Sequence, residues 1–174
     1  MKHIFLEIQQ RIKDTVPEVK WIDQDLGQLE FYTERPPVLF PCVLIDFDDI
    51  TFSDMGNHAQ ICSATVKLRV AFNVVQHSNN VTPQPQRDRA LEIFDVMAKL
   101  HQYLHGWSGT NFGELTRIRQ TAEPREDTLR VYVLQYSVTY EQYIDEDNVQ
   151  TIPTPTPVFT SGGVFDDQFN MPFS

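Results

Sequence analysis

The stretch from Ile61 to Val75 constrains this chain more than any other. Cys62, Ala64, Val66, Leu68, Val70, Phe72 and Val74 take every second position, and Ser63, Thr65, Lys67, Arg69 and Asn73 stand between them. Successive side chains of an extended strand point to opposite sides, so the alternation predicts a strand with one apolar and one polar face. At about 15 residues it is roughly three times the usual strand length. A strand that long outgrows a small sheet, and the sequence predicts that it continues past the sheet as a hairpin.

Its partner is readable too. Directly after Pro41, Val43, Ile45 and Phe47 alternate with Leu44, Asp46 and Asp48, which predicts a strand over 43–48. A turn around Met55-Gly56-Asn57 would fold it back antiparallel on the long strand. Matching the apolar faces sets Phe47 opposite Val66, Ile45 opposite Leu68 and Val43 opposite Val70. The outer face then has Asp46 opposite Lys67 and Leu44 opposite Arg69. An opposite-charge pair across two strands contributes about 0.2–1 kcal/mol. The same register sets Cys42 opposite position 71, nine residues from Cys62. The two cysteines therefore read as small buried hydrophobes in a reducing compartment, with no disulfide framework.

Two helices accompany the strands. Ile4, Phe5, Ile8 and Ile12 recur at helical spacing and Pro17 stops the pattern, so a first helix spans about residues 2–14. A second runs from about Arg87 to His105, after the polar stretch His77-Ser78-Asn79-Asn80 and two prolines. Its stripe is Ala90, Ile93, Phe94, Met97, Leu100, Leu104 and Trp107, with Gly106 as its stop. Trp21 and Ile22, then Leu29 and Phe31, suggest short strands. Leu115, Arg117 and Arg119 open another. Leu129 to Tyr143 is a further long strand, with Tyr132, Leu134, Tyr136, Val138 and Tyr140 on one face. Long strands joined by short turns predict an α+β fold: a mostly antiparallel sheet with two helices on one face.

Charge divides the chain. Fourteen basic and 24 acidic residues leave a net charge of −10, which argues against a surface that grips a phosphate backbone. Residues 145–174 hold five of the acids and no base, and they include Thr151-Ile152-Pro153-Thr154-Pro155-Thr156-Pro157. Repeated prolines neither donate to a sheet nor continue a helix, so this segment is expected to be an extended C-terminal arm on a domain of residues 1–144. Phe159, Phe165, Phe169 and Phe173 stand out in it, because an acidic tail of this kind normally carries few aromatics. They are candidate interface residues. No apolar run reaches the roughly 18 residues of a membrane span, and Glu7 falls too early for a secretory signal, so neither a membrane nor export is expected.

The sequence carries no catalytic, cofactor or metal signature. His101 and His105 stand at i, i+4, but a zincin helix needs Glu where Gln102 stands. Gly106-Trp107-Ser108-Gly109-Thr110 misses the final glycine of a nucleophile elbow and follows a helix instead of a strand. No glycine-rich phosphate loop is present. Asp46, Asp48, Asp49 and Asp54 are the most enzyme-like group, because clustered carboxylates can hold a divalent cation. A metal-dependent hydrolase would need these acids to converge. The alternative is a structural role in which Asp46 faces Lys67, with Asp46, Asp48 and Asp49 lining an acidic surface.

The order of elements resembles the tail terminator (tail completion) proteins of long-tailed bacteriophages. The likeness rests on the N-terminal helix, the strand Leu39-Phe40-Pro41-Cys42-Val43-Leu44-Ile45-Asp46 and the long strand Thr65-Val66-Lys67-Leu68-Arg69-Val70-Ala71-Phe72. The helix Asp88-Arg89-Ala90-Leu91-Glu92-Ile93-Phe94-Asp95 and the closing strand Arg130-Val131-Tyr132-Val133-Leu134-Gln135-Tyr136-Ser137-Val138 follow in the same order. The resemblance spans residues 2–144 and implies a non-enzymatic virion protein without cofactors. It implies a hexameric ring on the last ring of the tail tube that stops its growth and joins the tail to the head connector. The implied partners are copies of this chain, the tail tube protein and a head-closure or connector protein. DNA would pass through without specific binding. The implied location is the tail or neck of the virion, with assembly in the host cytoplasm. A head-closure (stopper) protein, another neck protein, or a monomeric adaptor using the arm as a linear motif are the alternatives.

Overall fold

The computed structural model of the chain describes residues 1–30, 38–56, 58–73 and 77–143. In chain order these form α1 (Lys2–Thr15), β1 (Trp21–Gln24), β2 (Cys42–Gly56), β3 (Ala59–Asn73), α2 (Gln84–Leu104), β4 (Thr116–Glu123) and β5 (Leu129–Tyr143). The strands make one sheet in the order β1-β2-β3-β5-β4. Only β1 pairs parallel, with the start of β2, and the remaining ladders are antiparallel. The predicted α+β class is the observed one.

The central register follows from face matching. Val43 lies opposite Val70, Ile45 opposite Leu68, Phe47 opposite Val66, Asp46 opposite Lys67 and Cys42 opposite Ala71. On β3's other side, Leu68 pairs with Leu134 and Val66 with Tyr136. A slip of one residue would turn every one of these side chains to the wrong side of the sheet.

Both helices cover that apolar face. Ile4, Ile8 and Ile12 of α1 and Ile93, Val96, Met97, Leu100 and Leu104 of α2 share one cluster with Val66, Leu68, Val70 and Tyr136. The second helix begins at Gln84, earlier than Arg87, because Pro85 stands in its first turn, where a missing N–H leaves no intrahelical bond unmade. Gly106 takes a left-handed φ of 76° just beyond the helix end, the conformation that favours glycine. The expected stripe needs one correction. Phe94 is 52% exposed and Val96 is buried in its place.

The opposite face carries a smaller cluster of Leu29, Val38, Cys42, Leu44, Ala71, Leu129 and Val131. Leu29 was expected in a strand; it stands in a turn, fully buried against the back of the sheet. Cys42 and Cys62 are free and buried on opposite faces, which separates the thiols. Burial pushes the Cys42 thiol up to about 12. Phe31, Val74 and Val75 lie outside the described residues, as do 144–174.

The strand expected over 43–48 is only the first half of β2. Past Asp48 it bulges, with Asp49 at a φ of 48°, and then runs largely exposed to Gly56. The long strand was expected to continue past the sheet as a hairpin, but β5 pairs with β3 along its whole length, from Ala59 opposite Tyr143 to Asn73 opposite Leu129. The turn between β2 and β3 therefore stays within a three-stranded sheet. β1 pairs only with Cys42–Ile45 and β4 only with Val131–Ser137. The sheet thus narrows to β2, β3 and β5 at the hairpin end.

Candidate functional site

The four positions Asp46, Lys67, Gln135 and Arg119 form one row across the sheet, from the free part of β2 to β4. The row lies on the face away from the helices. It ends in an acid on one edge and a base on the other.

Register alone put Lys67 against Asp46, but its ammonium pairs with Asp48 at 3.2 Å. The neighbour two residues along is within reach of a long side chain. Asp46 turns back on its own backbone, where its carboxylate accepts the Phe47 N–H at 2.9 Å. Asp48 accepts the Asp49 N–H, and Asp54 accepts the Gly56 N–H at 2.9 Å. These acids serve turns and a bulge, and Lys67 holds the Asp48 carboxyl below its usual range. Among the described residues no three His, Cys, Asp or Glu side chains are placed to hold a metal ion.

The i, i+4 histidines lie at the end of α2 beside β4. Their rings are 4.9 Å apart, and His105 Nδ1 accepts the Arg117 N–H at 3.1 Å. Burial, then the nearby Arg117 and His105, lowers the His101 pKa below its ordinary value. Their surroundings are basic: Arg117 and Arg119 follow, and neither has a carboxylate partner among the described residues.

Sequence reasoning missed the strongest electrostatic feature. Arg69, expected opposite Leu44 on the outer face, holds Asp25 at 3.1 Å and Glu123 at 2.8 Å, and also Glu30. Arg125 reaches Glu123 at 3.0 Å, Glu30 at 3.1 Å and the Leu29 carbonyl at 2.8 Å, and it also pairs with Asp127. Burial opposes the Arg69 cation, but hydrogen bonds to Glu30, Glu123 and Asp25 outweigh it and raise its pKa. The network pins the turn at 25–30 and the turn at 123–127 over the smaller cluster. Its members are spread over about a hundred residues of sequence, so no local spacing announces it. The local signal was Arg69 itself, a long base set opposite the apolar Leu44 and Val133. Phe159, Phe165, Phe169 and Phe173 lie outside the described residues.

The fold defines a class, a five-stranded mostly antiparallel sheet with two helices on one face, and this class has solved counterparts. A chain from the virion of a native gene transfer agent particle aligns with a TM-score of 0.52 at 12% identity, covering 78% of this chain and 92% of that one. At that identity the likeness speaks for the fold. No protein-family model and no curated protein matches the chain.

Proposed function

We propose that this chain is a structural subunit of a phage-like virion that forms a ring on the tail tube, ends its growth and joins it to the head connector. The observation that carries this reading is the fold shared with a chain of a gene transfer agent virion over 92% of that chain's length. The order of helix, strands, helix and strands that resembles tail terminators points the same way, and so does the placing of the acids. Asp46, Asp48 and Asp54 bond to neighbouring backbone or to Lys67 and do not converge. A subunit of net charge −10, repeated around a ring, lines a passage in which DNA is repelled. The hexamer, the tail and neck location, and the division into a domain of 1–144 and an arm of 145–174 belong to this proposal. In it, the arm's Phe165, Phe169 and Phe173 contact an adjacent subunit or ring. The test is to add the purified full chain to tail tubes and view them by negative-stain electron microscopy. Rings on one tube end, with elongation stopped, are expected. Bare ends and unchanged elongation would overturn the reading.

A further inference from the structure

The two edges of the sheet differ in charge at the same level. On β4, Arg117 and Arg119 flank Ile118, which the bulge between them leaves 55% exposed. On the other edge, β1 has ended at Gln24, and β2 presents Asp46, Asp48 and Asp49. The register puts Asp46 in the row of Arg119, with Asp48 level with Thr116 and Phe47 with Arg117. β2 and β5 both run antiparallel to β3, and β4 runs antiparallel to β5, so β4 is antiparallel to β2. A second copy that continued the sheet without turning it over would set the basic edge of one chain beside the acidic edge of the next.

We propose that the β4 edge, through Arg117, Ile118 and Arg119, docks on the free β2 edge of a second copy of this chain, at Asp46, Asp48 and Asp49. The contact uses two different surfaces of one chain, so each copy keeps one edge open and the arrangement closes only as a ring. Charge complementarity selects the occupant. In a chain of net charge −10, Arg117 and Arg119 of β4 have no carboxylate partner among the described residues, and the β2 edge offers acids. The Arg117 N–H is taken by His105 Nδ1, so the edge open to strand addition begins at the bulge, with Ile118 and Arg119. The charges and the bulge limit addition to a partner that matches them. This inference rests on the ring reading above and says where its subunits meet.

The test is a charge exchange in the full chain, read by sedimentation velocity. Arg117→Glu/Arg119→Glu makes both edges acidic, and Asp46→Lys/Asp48→Lys makes both basic. Circular dichroism and thermal melting check that each variant is folded. Each double variant alone is expected to weaken self-association at least about tenfold, because like charges face each other across the contact. Mixed one to one, the two variants should restore the parent's species by alternating around the ring. That arrangement closes only for an even number of copies, as in a hexamer. The quadruple variant should restore it alone. Folded double variants that associate like the parent, or a mixture that stays dissociated, would overturn these edges as the contact and show that their charges only protect the strands. A parent that is monomeric at every concentration would overturn docking between copies. A parent that associates through these edges yet leaves tail tubes uncapped would refute the tail reading and spare the contact.

Discussion

Replacing Arg69 with methionine keeps most of the side-chain volume and removes the cation at the centre of the outer-face network. Arg125 still reaches Glu123 at 3.0 Å and Glu30 at 3.1 Å, so those acids keep a partner. Asp25 does not. Its side chain is 12% exposed, and after the substitution its remaining bond is the one it accepts from the Gly27 N–H at 3.1 Å. Breaking a buried pair by removing one partner costs about 3–5 kcal/mol. The surviving Gly27 bond puts Arg69→Met near the lower end, about 3 kcal/mol. With a urea slope of roughly 1–3 kcal/mol/M, the midpoint should fall by roughly 1–3 M, followed by circular dichroism. Adding Asp25→Asn to Arg69→Met should recover more than half of the loss, because the double variant no longer strands a charge. A loss below about 0.5 kcal/mol, the scale of a change away from any such feature, would show that the network is surface decoration. A further loss from Asp25→Asn in the Arg69→Met background would equally show that no charge is stranded there.

Three further outcomes follow from the packing and titration. Leu68→Ala, at a fully buried site between Ile45 and Leu134, should cost about 2–5 kcal/mol in the same unfolding assay, and a negligible change would mean that the helices do not cover this face. Gly109→Ala would push a methyl group into the Phe112 ring and the Glu7 carboxylate, so a loss of about 1–3 kcal/mol is expected, and a melting temperature equal to the parent's would contradict the packing. The third is pH dependence. Arg69 holds the Glu30 carboxyl, and Arg125 the Asp127 carboxyl, below their ordinary values of 4.5 and 3.8. Their stabilisation is complete above those values and lost as pH falls through the depressed ones. His101 is also depressed, so its contribution is complete above its ordinary 6.5 and declines below it. Melting temperatures across pH 2–8 should show both limbs, and His101→Leu should remove the upper one.

The parts of this molecule legible in the sequence are those set by periodicity over consecutive residues. Alternation along Cys62–Phe72 and Val43–Phe47 determined the strands. Because one apolar face had to meet another, it also determined the pairing of Val70, Leu68 and Val66 with Val43, Ile45 and Phe47. The isoleucines at 4, 8 and 12 likewise placed the first helix, and all three are buried. Tertiary structure decided what depends on three-dimensional direction. Lys67 reaches Asp48 and not the directly opposite Asp46, because its long side chain leans to the diagonal neighbour, a direction the register leaves open. Val96 replaces Phe94 under the second helix, because the stripe facing the sheet is set by how that helix lies on Leu68 and Val70, a rotation that spacing leaves open. The Arg69 network draws on Asp25, Glu30 and Glu123, which only the folded sheet and its two flanking turns bring within 4 Å of one guanidinium. Ion pairs act through space and carry no period along the chain, so they became visible only once the strands were in register.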